Sequence, residues 1–251
     1  MHLSELTWSD ADAAGTDLAL LPVGSTEQHG PHAPLGTDAY AAEAVAAAGA
    51  EAADAPVVVA PTIPVGVAEE HRAFTGTLWV SPDAFRRYVR ETVASLAHHG
   101  WDRVVVVNGH GGNVPALREV CGRLSRDGTA YAVPFTWFEA VDPATAGLED
   151  ADMGHGGPVE TSLVAHLRPD LVEEERFAAA AGDGADGWGE WVAGTNLAYD
   201  SDEFSESGVV GDPGRSDPAA GEALLDQAGD ALAALLGAVA ERDGPGAGGP
   251  D

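Results

Sequence analysis

Glu27 and His29 stand two residues apart in the run Gly24-Ser25-Thr26-Glu27-Gln28-His29-Gly30-Pro31-His32, and Thr37-Asp38 follows closely. A second run, Asn108-Gly109-His110-Gly111-Gly112-Asn113, supplies another imidazole. A third, Gly154-His155-Gly156-Gly157-Pro158-Val159-Glu160-Thr161-Ser162, adds a histidine and a glutamate. Carboxylates and imidazoles gathered in this way hold divalent metals and activate water for hydrolysis. In an extended segment, residues two apart leave the chain on one face, so Glu27 and His29 project together. Glu27, His29, Asp38, His110 and Glu160 are too many for one catalytic zinc with three protein ligands. They suit two metals about 4 Å apart with one carboxylate shared, and Asp38 is the natural bridge. His155 is left beside the pair as an acid, a base or a group that polarises a substrate carbonyl. His32, Asn108, Asn113 and Trp137 are candidates for the surround of the site or for substrate contact.

Other residues read as structural. His2, His71, His98, His99 and His166 are single imidazoles without ligand spacing, and His98-His99 at a helix end favours the helix dipole. Cys121 falls on a helical pattern and reads as core. Trp188 and Trp191, and in the plainer reading Trp137 too, are core or interface rings. The segment from Gly109 is not a dinucleotide loop, because Val114 stands where the third glycine belongs. The chain has no lysine, so it has no phosphate loop either. Ser25 and Ser162 lack a nucleophile-elbow context.

The elements that must position these groups alternate. Apolar runs predict buried strands at Leu18–Val23, 57–60, 103–107 and 131–134. Thr37 or Asp38 is expected to cap an alanine-rich helix over 39–51. Ser81-Pro82 opens a helix to about residue 99, stopped by Gly100. Further helices are expected over 114–126, 158–168 and 218–241. The stretch 61–76 is a long loop of the kind that lines sites. Residues 180–215 are expected to be irregular, as a lid or a subunit contact, and 243–251 to be a disordered acidic Gly/Pro tail. The pattern predicts one domain over 1–242, a three-layer αβα sandwich with a mostly parallel sheet. Ligands in such sheets sit at the carboxyl ends of strands, where the first two clusters fall.

Composition narrows the setting. The 251 residues carry 41 acidic and 12 basic side chains, net −29, and every basic residue is arginine. Such a field disfavours nucleic acid and anionic lipid as partners. Scattered carboxylates point to adaptation to high salt, with an acidic protein of a GC-rich genome as the plainer alternative. One cysteine excludes an intrachain disulfide. With no secretory pattern at the N-terminus and no apolar run near about 18 residues, a cytoplasmic protein is expected.

With these motifs in this order, the chain resembles the creatininase (creatinine amidohydrolase) family over residues 18–221, including Gly208-Val209-Val210-Gly211-Asp212-Pro213. The resemblance implies a three-layer α/β fold, two metal ions (zinc, manganese or iron), hydrolysis of a small-molecule non-peptide amide, and a homo-oligomer, often a hexamer. It implies Glu27, Asp38 and His110 at one metal, His29 and the shared Asp38 at the other, and His155 as the catalytic histidine. Creatininases carry a metal-binding glutamate where this chain has Gly112, so Glu160 is expected to complete the ligand set of the second metal. The Gly-Gly form resembles an archaeal formamide hydrolase acting on a ribosylaminopyrimidine phosphate, and the peptidase that trims the mycofactocin precursor. The formamide is the expected substrate, with creatinine or the precursor peptide as alternatives. A phosphate would then need Arg72, Arg215, a helix N-terminus or a metal. A metal-binding protein without catalysis is the alternative of another class.

Overall fold

The computed structural model describes residues 1–242 and 244; apart from Gly244, the expected tail lies outside the described residues. In chain order the elements are α1 (Trp8–Asp12), β1 (Leu18–Val23), α2 (Thr37–Ala52), β2 (Val58–Val59), α3 (Pro82–His98), β3 (Arg103–Asn108), α4 (Val114–Arg126), β4 (Tyr131–Thr136), α5 (Pro158–Leu167), α6 (Phe177–Gly182), β5 (Trp191–Val192), β6 (Thr195–Asn196) and α7 (Pro218–Ala240).

The sheet order is β2-β1-β3-β4, and all three pairings are parallel. Every residue of β1 is buried, and so are Val104 to Asn108 of β3, because helices cover both faces. Leu20, Val105 and Val107 pack with α2, α5 and α7 on one side. Leu21, Val104 and Val106 pack with α3 and α4 on the other. The register sets Leu18 opposite Arg103 and Val23 opposite Asn108, so the two central strands end side by side.

Local sequence explains most boundaries. Ser81 caps α3 by accepting from the Ala84 N–H, with Pro82 at the first helical position. Position 58 begins β2 and Pro61 follows its end, so that strand is shorter than expected; β4 runs on to Thr136 because Phe135 and Thr136 stay in register with Val107 and Asn108. Helix α2 differs at its start. Its cap is Gly36, without a side-chain cap bond, because Asp38 is turned toward two imidazoles and Thr37 Oγ1 donates to the Pro34 carbonyl.

Helix α7 is long and apolar enough to span a membrane by length and composition. Its Ala220, Leu224, Ala228, Leu232, Leu236 and Val239 follow a helical stripe and are buried on α2 and α5, as a core helix requires. Truncating one of these leucines to alanine should cost about 2–5 kcal/mol. The segment 180–215 is less irregular than expected: α6 enters it, and β5 and β6 form a small antiparallel hairpin.

Candidate metal centre

The site begins where β1 and β3 end. After β1 the chain turns at Gly24 and carries Glu27 and His29 back across the strand ends, and Asp38 follows in the first turn of α2. After β3, Gly109 brings His110 against that turn: a Cβ on Gly109 would lie 2.1 Å from the Asp38 carbonyl oxygen, so only glycine allows the approach. Asn108 and Asn113 tie the loops together. Asn108 Nδ2 donates to the His110 carbonyl at 2.7 Å and its Oδ1 accepts from the His110 N–H at 3.1 Å. Asn113 Nδ2 donates to the Gly24 carbonyl at 3.1 Å, and its Oδ1 accepts from the Val67 N–H at 2.9 Å.

Two imidazoles are fixed with one nitrogen on backbone and the other aimed at carboxylates. His29 Nδ1 donates to the Glu27 carbonyl at 3.2 Å, which leaves Nε2 3.0 Å from Asp38 Oδ1 and 3.7 Å from Glu160 Oε2. His110 Nε2 donates to the Val67 carbonyl at 2.7 Å, which leaves Nδ1 3.1 Å from Glu27 Oε1 and 3.2 Å from Asp38 Oδ2. Asp38 thus gives one oxygen to each set. A lone pair facing two carboxylates is repulsive unless positive charge lies between them. Burial disfavours a charged ring at both histidines. Asp38 and Glu160 at His29, and Glu27 and Asp38 at His110, nevertheless hold the rings well above the ordinary imidazole value. Burial likewise opposes the Asp38 charge, and the two rings outweigh it, so this carboxyl lies below the usual carboxylate range.

The donor set fits two divalent cations. Glu27, Asp38 and Glu160 are at most 6% exposed, and no arginine pairs with them among the described residues. Both Glu27 carboxylate oxygens, His29 Nε2 and Asp38 Oδ2 are buried without a hydrogen-bond partner. Buried carboxylates need compensating positive charge; protons on His29 and His110 supply part of it, and a pair of cations would supply it in full. The compatible trios are Glu27, Asp38 and His110; His29, His155 and Glu160; and Glu27, His71 and His155.

His155 is buried rather than exposed, held by an antiparallel bridge to Val210 in the Gly208–Gly211 stretch. Its Nε2 donates to the Gln28 carbonyl at 2.6 Å, so Nδ1 carries the free lone pair, 3.8 Å from Glu27 Oε1. Burial, then His29, lowers its proton affinity. A neutral base is the form this geometry favours. Glu160, in the first turn of α5, also accepts from the Gly156 N–H at 2.7 Å, which anchors the carboxylate to the loop bearing His155.

His71, assigned a structural role from its isolation in sequence, stands at the centre. It stacks on His155 with ring centroids 4.3 Å apart. The Gln28 amide is oriented by two backbone bonds, Oε1 accepting from Gly30 N–H and Nε2 donating to the Gly208 carbonyl. That Nε2 also lies 2.9 Å from His71 Nδ1, so Nδ1 accepts and the proton sits on His71 Nε2, 3.5 Å from Glu27 Oε1. The His71 Nε2–H therefore faces Glu27 from beyond hydrogen-bond distance, as a favourable dipole beside the carboxylate. Burial and the neighbouring His155 push its proton affinity far down. Glu70, beside it, was also missed; its Oε1 lies 3.7 Å from His110 Nε2. The signal available was a Glu-Glu-His triplet inside a long strand-end loop.

The remaining candidates fall around this centre. His32 Nε2 donates to Thr161 Oγ1 at 3.0 Å, since that hydroxyl itself donates to the Gly156 carbonyl; burial pushes His32 down to about 4. Trp137 is buried and lines a small closed space with Asp38 and Glu160, its indole N–H unpartnered. Burial pushes the Cys121 thiol up to about 12, as suits a core residue.

A cavity of about 360 Å³ opens onto the centre, lined by Glu70, His71, His110, Gly111, Gly112, Phe138, Met153, Gly154, His155, Glu160 and Trp188. An open cavity beside the donor set suits catalysis rather than a closed structural site.

Known proteins share this arrangement of sequence and fold. The family model described as creatininase, creatinine amidohydrolase, matches residues 4–236. The mycofactocin precursor peptide peptidase of Mycolicibacterium smegmatis is 36% identical over 216 residues, 83% of this chain and 79% of that protein. The creatinine amidohydrolase of Pseudomonas putida is 32% identical over 198 residues, 70% of this chain and 75% of that protein. A crystal structure of creatininase superposes with a TM-score of 0.80 at 26% identity, covering 96% of this chain and 98% of the other. Solved creatininases include a manganese form (TM-score 0.80, 25% identity, 96% and 99% covered) and a Zn–Zn form (0.78, 25%, 96% and 98%). With a family model over nearly its whole length, the chain belongs to the creatininase family of metal-dependent amidohydrolases.

Proposed function

We propose that this enzyme hydrolyses the amide bond of a peptide-like substrate at a pair of divalent cations, zinc first, with manganese or iron as alternatives. The observation that carries the substrate class is the cavity. At about 360 Å³ it lies in the range of pockets that enclose whole small molecules, and its walls are what select among them. Phe138, Met153 and Trp188 give it apolar walls, and no arginine lines it. The phosphorylated formamide expected from the sequence finds no arginine in this lining, which leaves only the metal pair or a helix N-terminus to meet its phosphate. Arg72 is paired with Asp200 and Glu69, and Arg215 donates to the Glu149 and Asp150 carbonyls. The identity to a precursor peptide peptidase points the same way, so the restriction to non-peptide amides is not kept.

In this reading Glu27, Asp38 and His110 hold one cation, and His29, Asp38 and Glu160 the other. The donors are carboxylate and imidazole without thiolate, which suits zinc, manganese or iron. Bound there, the cations supply a nucleophilic water at neutral pH and polarise the scissile carbonyl. His155 Nδ1 takes the proton of that water and passes it to the departing amine, while the Gln28 carbonyl fixes the ring through Nε2. His71 presents its Nε2–H dipole to Glu27 from 3.5 Å. The same reading places the enzyme in a high-salt cytoplasm, on its net charge of −29, and as a homo-oligomer. Trp188, Trp191, Val192, Leu197 and Tyr199, all exposed on and beside the β5–β6 hairpin, support that assembly.

The test is a panel of dipeptide amides, creatinine and N-formyl amines offered to protein depleted of metal and reloaded with zinc or manganese. Amine release from the dipeptide amides is expected. Turnover of creatinine or a formamide with no cleavage of the peptides would overturn the substrate class.

A further inference from the structure

Glu70 is the one charged group of the cavity that the metal centre leaves without a task. It lies in the short turn Glu69–His71, about one-third exposed, with its carboxylate on the cavity wall. The only nitrogen within ion-pairing distance of it among the described residues is His110 Nε2 at 3.7 Å, whose N–H is already given to the Val67 carbonyl. Arg72, two residues on, is turned away to Asp200 at 2.6 Å and Glu69 at 3.6 Å.

The chain makes specific room for this carboxylate. A Cβ on Gly112 would stand 2.2 Å from the Val67 carbonyl oxygen, 2.5 Å from His110 Nε2 and 2.7 Å from Glu70 Oε1. A side chain at position 112 would collide with the Val67 backbone, the His110 ring and the Glu70 carboxylate, so glycine is what lets Glu70 stand here. The other walls complete a pattern. Phe138 and Trp188 offer aromatic surface, Trp188 is 43% exposed, and the second carboxylate is Glu160. Aromatic faces with an unpaired carboxylate form a receptor for an alkylammonium group: the ring quadrupole attracts the cation and the carboxylate accepts its N–H bonds.

We propose that Glu70, with Trp188 and Phe138, binds a protonated amine on the substrate, so that the enzyme prefers amides bearing a free ammonium group near the scissile bond. This rests on the peptide-amide reading above, since it adds a recognition element to the same cavity. Glu70 acts here in binding, apart from the centre that cleaves the amide.

The test is calorimetric binding of two probes of matched shape, phenethylamine (charged) and 2-phenylethanol (neutral), to the zinc-loaded protein. The wild type should bind the amine about tenfold more tightly. Glu70→Gln, which keeps the shape and removes the charge, should bind the two alike while retaining its zinc. Glu69→Gln, on the exposed neighbour that faces Arg72, should keep the wild-type preference. Equal binding of the two probes by the wild type, or a preference that survives in Glu70→Gln, overturns the proposal. Loss of zinc from Glu70→Gln also overturns it, because Glu70 would then serve the metal shell. A wild type that prefers the amine but cleaves no dipeptide amide refutes the functional reading and leaves this binding site standing.

Discussion

Replacing Asp38 by asparagine tests the shared carboxylate directly. Asp38 Oδ1 lies 3.0 Å from His29 Nε2 and Oδ2 lies 3.2 Å from His110 Nδ1, so one carboxylate reaches both imidazoles and, in the proposed reading, both cations. Asparagine keeps the shape, but its amide presents one oxygen and one NH2 group. Whichever way it turns, one cation meets a donor where it needs an acceptor, and both lose a negative charge. A cation held at about 100 times its dissociation constant stabilises the fold by about 2.7 kcal/mol. For a chain of this length that is a melting gain of about 5–11 °C per site. The wild type should therefore show about twice that gain between chelated and loaded protein. Asp38→Asn should lose at least half of it and retain at most one metal per chain by elemental analysis. Taking the difference within each protein removes the effect of the substitution on the metal-free fold. Two retained metals and an undiminished melting gain would refute the bridge.

Other perturbations separate the roles of the neighbours. His71→Ala should weaken metal retention about 10–100-fold in competition with a chelator, the usual loss when an outer partner of a ligand is removed; unchanged affinity would mean that Glu27 needs no such support. His155→Ala should lower turnover by about 10²–10⁴ with metal content preserved, whereas loss of both would make His155 a ligand. Gly112→Ala, whose Cβ has no space beside Val67 and His110, should destabilise the protein by about 1–3 kcal/mol in denaturant unfolding; an unchanged midpoint would show that the turn yields freely. Because screening relieves the repulsion of a −29 chain, the melting temperature should rise between dilute buffer and molar KCl. A flat response would count against halophilic adaptation.

How far the sequence could be read depended on the range of the interaction that decides each feature. The strands β1 and β3 were legible because a run buried on both faces must be apolar throughout. Helix α3 was legible because its cap and first-turn proline are local. Glu27, His29, Asp38 and His110 were legible because they sit in short turns leaving those strands. His71 and Glu70 were not, because nothing periodic places residues of a long loop. Their positions follow from contacts with Gln28, 43 residues distant for His71, and from the void at Gly112. The start of α2 was misread for a related reason. Asp38 would be a good cap by type, but two imidazoles held by other parts of the chain claim its oxygens.

The place of the centre follows from the order of the strands. The chain leaves β1 for α2 on one face of the sheet and pairs β2 at one flank; it leaves β3 for α4 on the opposite face and pairs β4 at the other. The two exits diverge, so a crevice opens between the carboxyl ends of β1 and β3, where parallel sheets bind ligands. Each wall brings half of a charge pattern that neither could bury alone. The β1 side carries Glu27, His29 and Asp38, and the β3 side carries His110 against the same oxygens. Joined, they place buried carboxylates around lone pairs that backbone carbonyls prevent from turning away. Without cations the carboxylates hold both rings well above the ordinary imidazole value, so protons and cations compete for the same nitrogens. The fold therefore gathers acceptors for positive charge at this crevice, and the helix bearing Glu160 and the loop bearing His155 close on it last in chain order.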